Sequence, residues 1–247
     1  MEEVLALIEK KKQELAKSGL FEFMRDQSID PRQRLAFAPC IAHFAMSFGE
    51  LNQSIFREEP TNDPLQAMVN NHTYEDDHHW LWFLADLEQL GIDKSLKFSE
   101  ALNFVWSEQI KASRLVTYQI FRYAFGASSI TKLAILEVIE ATGNVFLSAT
   151  ASIAEELRSL TKKELLYFGC FHLDVETGHT TGTPDVEQSI KNIPLSIESR
   201  QELFEIVENL FEIFTEQINE LLVYAKTHSF EQPFAKPSDI LQPLKAA

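Results

Sequence analysis

The chain has 247 residues, 45% of them hydrophobic, and a formal net charge of −15. That is enough apolar material for one domain with a real core, and the acidic balance argues against nucleic acid and anionic membranes as partners. No basic leader with an apolar run and no uninterrupted apolar stretch of bilayer length stands out. The two cysteines, Cys40 and Cys170, form no paired framework, which fits a reducing, cytoplasmic setting.

Helical signals follow one another along the chain. Residues 2–17 are rich in Glu, Lys, Leu and Ala and stop at Ser18-Gly19. A short turn through Phe21 and Phe23 leads to Asp30-Pro31, where the proline suits a first helical position. The next helix carries Phe37, Ile41, Phe44, Phe48 and Ile55 at helical spacing. After Pro60, Asp63 caps a long helix from Pro64 to Leu90, which Gly91 stops. A further helix runs from Ser99 to Gly126. Ser128 or Ser129 opens another that continues to Leu157. Thr161 and Glu164 form a capping-box pattern for a helix over 162–180. A short helix at 184–191 and a long one at 197–227 follow, and the proline-rich tail 229–247 reads as extended.

No window alternates as a strand does, and no linker or repeat divides the chain. The expectation is one all-α domain, a bundle of about seven or eight helices. Its core spans about residues 30–225, with 1–29 as an N-terminal helix and turn.

Two stretches break this apolar periodicity in the same way. Residues 171–179 read Phe-His-Leu-Asp-Val-Glu-Thr-Gly-His, which places His172, Glu176 and His179 at i, i+4 and i+7 on one helix face. His72, Asp76 and His79 repeat the spacing, with Glu75 at the edge of that face and His78 pointing away. On the helix 129–157, Glu140 falls in the centre of the stripe marked by Leu133, Leu136, Leu147 and Ala151. Three helices thus turn His72, His79, His172, His179, Asp76, Glu140 and Glu176 inward with no cation among them. Buried ionisable groups need partners, and a metal is the simplest shared one. Carboxylate with imidazole and no thiolate favours iron or manganese over structural zinc, and helix bundles build dinuclear carboxylate sites from this mixture. Tyr74 and Tyr167 flank the two motifs as candidate hydrogen-bond or proton donors. Trp80, Phe83, Phe146 and Phe168 are among the aromatics that could line an apolar pocket.

These residues resemble the heme-oxygenase-like di-iron oxidases over residues 30 to 225. The CADD-like proteins are the most similar that can be named, and thiaminase-type and PQQ-synthesis-type helical enzymes are related to them in fold. The late His-x3-acid-x2-His helix, the central Glu140, and His79 followed at the family's distance by Leu90-Gly91 carry the resemblance. It implies a non-heme site with two ferrous ions, or one, with manganese as the alternative metal. O2 would be the co-substrate, with no heme, a small organic molecule the substrate and a homodimer the assembly. By this resemblance His79, Glu140, His172, Glu176 and His179 are metal ligands. Where many members carry an acid seven residues before the first histidine, this chain has His72, so Asp76 or Glu75 stands in as the first carboxylate.

Two other classes stay open. One is a non-redox enzyme of the same fold, a thiaminase-like hydrolase with a cysteine nucleophile. The other is a binding or interaction protein without chemistry. A heme oxygenase is disfavoured, because His43 is the only early histidine and shares its face with Ser47 and Glu50.

Overall fold

The computed structural model describes residues 1–93, 95–177 and 184–234 and contains no strand among them. Helices α1 (Glu2–Leu15), α2 (Gly19–Arg25), α3 (Pro31–Arg34) and α4 (Ala42–Leu51) come first. They are followed by α5 (Pro64–Asp76), α6 (Trp80–Leu90), α7 (Phe98–Val105) and α8 (Lys111–Ala124). The long α9 (Ser129–Thr161), the short α10 (Cys170–Thr177) and α11 (Pro184–Lys191), and the long α12 (Ile197–Thr227) complete the order.

Helix α9 is the hub, with α1, α2, α3, α5, α8, α10 and α12 packed on it. Ser128 starts it by accepting the Thr131 N–H at 3.3 Å, and Lys162 ends it in the left-handed region at φ 62°. Its side chains are buried on most sides, among them Leu133, Ile135, Val138, Ala141 and Ile153. Contrary to the sequence reading, α9 is long and apolar enough by length and composition to cross a bilayer, the one such helix among the described residues. Here 56% of its apolar window is buried by its neighbours, the pattern of a core helix.

Several expected boundaries match their chemistry. Asp30 and Asp63 each accept the N–H two residues on, at 2.8 and 2.9 Å, ahead of Pro31 and Pro64. Ser196 accepts the Ser199 N–H at 3.1 Å, and Gly91 ends α6 at φ 73°.

Other boundaries differ, so there are more helical segments than expected. Residues 19–25 form α2 where a turn was expected. The single helix over 64–90 is two helices joined by a turn at 77–79. Arg57 braces that turn, pairing with Asp77 at 2.7 Å and donating to Thr73 Oγ1 at 2.9 Å. The helix over 99–126 is α7 and α8, and the Arg114 guanidinium fills the gap by donating to the carbonyls of Val105 and Ser107. Thr161 closes α9 instead of capping a new helix, and residues 162–169 are irregular up to the start of α10. Residues 235–247 of the expected tail lie outside the described residues.

Helix α4 reaches the 77–79 turn through Gly49, where an added Cβ would stand 2.7 Å from the Asp77 carbonyl oxygen and 3.1 Å from the Trp80 ring. Gly49→Ala is therefore expected to destabilise the protein by about 1–3 kcal/mol. Gly143→Ala, in α9 with open space around it, should instead stabilise by about 0.5–1 kcal/mol. Urea denaturation of both variants checks the pair.

Candidate metal centre

Two triads form the centre: His72 with Asp76 and Glu140, and His79 with His172 and Glu176. Within each, one donor atom per residue lies within 4.8 Å of the other two.

The first triad joins α5 to α9. The i, i+4 spacing sets His72 Nε2 3.0 Å from Asp76 Oδ2, and Glu140 of α9 brings Oε1 to 3.3 Å from the same nitrogen. His72 and Asp76 are almost fully buried, while Glu140 keeps 25% of its side chain exposed toward the cavity.

The second triad joins the α5–α6 turn to α10. His172 Nε2 lies 2.8 Å from Glu176 Oε1, again at i, i+4. His79 Nδ1 lies 3.3 Å from Glu176 Oε1 and 3.1 Å from His172 Nε2. Trp82 stacks on the His79 imidazole at 4.2 Å, which fixes the plane of that ring. The other nitrogen of His172, Nδ1, is 2.9 Å from the Tyr167 carbonyl oxygen. A carbonyl only accepts, so Nδ1 carries a proton and Nε2 is the atom left to face the centre. Nε2 and the Glu176 carboxylate then need a proton or a metal ion between them.

The triads abut, with His79 Nδ1 3.9 Å from Asp76 Oδ1. The electrostatics follow from this crowding. Burial, then the charge of Glu176, pushes the Glu140 carboxyl well above the usual range, despite its contact with His72. Burial alone would lower the His72 imidazole, but Asp76 and Glu140 outweigh it and hold it well above its ordinary value. Among the described residues lining the adjoining cavity there is no lysine or arginine.

That cavity, of ≈ 100 Å³, opens beside the two triads between α4, α9 and α12. Its wall is largely apolar, with Phe44, Phe48, Phe146 and Phe214 prominent. Of the aromatics expected at a pocket, Trp80 and Phe146 line it. Phe83 and Phe168 are fully buried in the core and pack on each other at 6.2 Å.

The remaining candidates are placed as follows. Tyr167 lines the cavity, its ring 4.8 Å from that of His172, and burial, then Glu176, raises its phenol far above the ordinary value. Tyr74 is half-exposed on the outer face of α5, donates to Glu59 at 2.7 Å and carries the Arg57 guanidinium over its ring, away from the centre. Glu75 is partly exposed and belongs to neither triad. His78 is exposed, as expected. His179 lies outside the described residues. Cys170 is partly exposed but does not line the cavity, and desolvation raises its thiol above the ordinary value, so it is not placed as a nucleophile for a molecule bound there. His43 does not line it either, and its Nδ1 contacts Thr117 Oγ1 at 3.2 Å.

Two residues escaped the sequence analysis. Gln217 interrupts the apolar stripe of α12 and lines the cavity; a polar residue among Phe214, Ile218 and Leu221 was the available signal. Asp86 of α6 is fully buried and accepts the N–H groups of Leu166 at 2.7 Å and of Tyr167 and Phe168 at 2.9 Å. It fixes the irregular segment whose Tyr167 carbonyl orients His172. No sequence signal marks a partner 80 residues away.

No protein-family model matches the chain, and no curated protein aligns with it significantly.

Burial pushes the Asp86 carboxyl up to about 6 from 3.8, although its three N–H partners and His172 pull it down. The folded state therefore takes up a proton that the unfolded chain, near pH 6, does not hold. Wild type should gain stability relative to Asp86→Asn, by about 1 kcal/mol, as pH falls from about 7.5 to about 5. Asp86→Ala, which strands three N–H groups, should cost about 3 kcal/mol or more. Urea unfolding at the two pH values measures both effects.

Proposed function

We propose that the chain is a metal-dependent oxidase or oxygenase that uses O2 at a non-heme site on a small organic substrate. The observation that carries this reading is the pair of abutting His and carboxylate triads at the wall of an apolar cavity. The donor set fits the metal: three imidazoles, three carboxylates and no thiolate suit iron or manganese. In this reading His72, Asp76 and Glu140 hold one ion and His79, His172 and Glu176 a second, with His179 as a further candidate ligand. Bound ferrous iron would supply the electrons that reduce dioxygen.

The chain's own residues supply the rest. The Tyr167 carbonyl fixes the His172 tautomer, and such outer partners set ligand direction and basicity. Trp82 restrains His79. The Phe44, Phe48, Phe146 and Phe214 rings keep water from the reacting face. Tyr167 retains its phenol proton at neutral pH and stands on the cavity wall as a donor. Tyr74, on the outer surface, has no part in this scheme.

Elemental analysis of protein grown with added iron tests the reading, together with oxygen uptake under reducing conditions. About two metal ions per chain are expected. Asp76→Ala, Glu140→Ala and Glu176→Ala should each lose most of the metal, whereas Glu75→Ala and Tyr74→Phe should keep it. Protein that takes up neither iron nor manganese, and consumes no oxygen after reconstitution, overturns the proposal. The pH dependence has a definite sign. An imidazole must shed its proton to ligate, and His72 holds its proton more tightly than usual. Metal binding near pH 7 should therefore release protons, and affinity should already fall as pH drops through neutrality, above the range in which an ordinary histidine titrates. Calorimetry in buffers of different ionisation enthalpy reads the released protons directly.

A further inference from the structure

We infer that the apolar cavity takes a substrate with an apolar body and one neutral hydrogen-bonding group, an amide or a hydroxyl, and that Gln217 reads that group. The inference rests on the cavity being the substrate chamber of the proposed oxidase.

Gln217 is 5% exposed and lies on the cavity wall one helical turn from both Phe214 and Leu221. Among the described residues its amide makes no hydrogen bond. The polar neighbour Thr142 is already committed, donating to the Ile139 carbonyl at 2.9 Å. Its amide atoms are therefore free to meet a molecule in the cavity. An apolar side chain would fill the same stripe as its neighbours Phe214, Ile218 and Leu221 do. The amide presents one carbonyl acceptor and two N–H donors to the chamber. A ligand amide can satisfy both kinds at once, and a hydroxyl can satisfy either.

The chamber also selects against charge. No lysine or arginine lines it among the described residues, and Asp76, Glu140 and Glu176 occupy one end. An ionised carboxylate beside Gln217 would lose its water shell and meet no lysine or arginine in return among the described lining residues. A site built around a hydrogen-bonding group discriminates strongly against ligands that cannot meet it. Gln217 is thus a specificity residue, set apart from the ligand cluster.

The test is calorimetric titration of hexanamide and hexanoate at about pH 8, where the acid is fully ionised. It is run on wild type and Gln217→Met, both after chelation and after anaerobic iron loading. The hexanamide-to-hexanoate ratio is read in the chelated arm. In the loaded arm hexanamide alone is compared between the two proteins, because bound ferrous ions would attract hexanoate. Wild type should bind hexanamide at least about tenfold more tightly than hexanoate, the scale of one good hydrogen bond. Gln217→Met, close in volume, should bring that ratio to near unity while its melting temperature stays equal to or above that of wild type. The inference is overturned if Gln217→Met keeps the preference, if hexanoate binds as well as hexanamide, or if hexanamide does not bind. A melting temperature several degrees lower in Gln217→Met would also overturn it, since Gln217 would then serve the fold. Protein that loads neither iron nor manganese yet shows the amide preference sinks the oxidase reading while leaving Gln217 as the group that reads a ligand in this cavity.

Discussion

Asp76, Glu140 and Glu176 are held in one largely buried cluster with His72, His79 and His172, and that crowding of like charge constrains everything around it. Three ionised carboxylates so close together repel one another, and burial strengthens the repulsion. The protein answers with imidazoles in place of lysine or arginine at the cavity wall. An imidazole can hold a proton or give it up for a metal ion, whereas a guanidinium would neutralise the carboxylates permanently. On the proposed reading the cluster therefore stays open to exchange of cations, which a structural ion pair would not.

Holding the groups in place takes long-range braces. Helix α9 packs directly on α5, which lets Glu140 meet His72. The 77–79 turn, which places His79, is gripped by Arg57 on one side and approached closely by Gly49 on the other. His172 hangs from the Tyr167 carbonyl, and the Asp86 carboxylate in turn gathers three successive N–H groups around Tyr167. Gly169 completes that segment, since a Cβ there would stand 2.0 Å from the Leu165 carbonyl oxygen. Supporting contacts of this kind decide ligand direction as much as the ligands do.

This division between ligand and brace explains what the sequence could disclose. The pairs His72 with Asp76 and His172 with Glu176 are local contacts at i, i+4, so helical spacing alone reveals them. The centrality of Glu140 and the all-α class were legible for the same reason. Tyr74 shows the same rule in reverse: two residues beyond His72 on a helix is about 200° around the axis, which puts it on the outer face. The turn at 77–79 was hidden, because Asp-Asp-His-His-Trp contains no glycine or proline to announce a break. The irregular segment 162–169 was hidden more deeply. Thr161 and Glu164 spell a local capping pattern, yet Lys162 turns left-handed and Asp86 takes the N–H groups that a helix would have used internally. A tertiary hydrogen bond of that span overrides local propensity and leaves no periodic trace.

The two ends of the cavity differ in the same way. At one end, charged donors are fixed by short helical spacings and buried braces, so their geometry is stiff. At the other, Phe44, Phe48, Phe146 and Phe214 meet the void with apolar surface, which shapes a space without imposing direction. An organic molecule entering such a space would slide and rotate unless something fixed its register against the ligands. Gln217 is the polar group on the α12 wall that can supply that register. Its amide is short, neutral and tied to a 31-residue helix, so a hydrogen bond to it fixes distance without adding charge to an already crowded field. On the proposed reading, reactivity belongs to the charged end and selection to the apolar one. The two can then vary independently, because the groups that hold a metal are not the groups that recognise what it acts on.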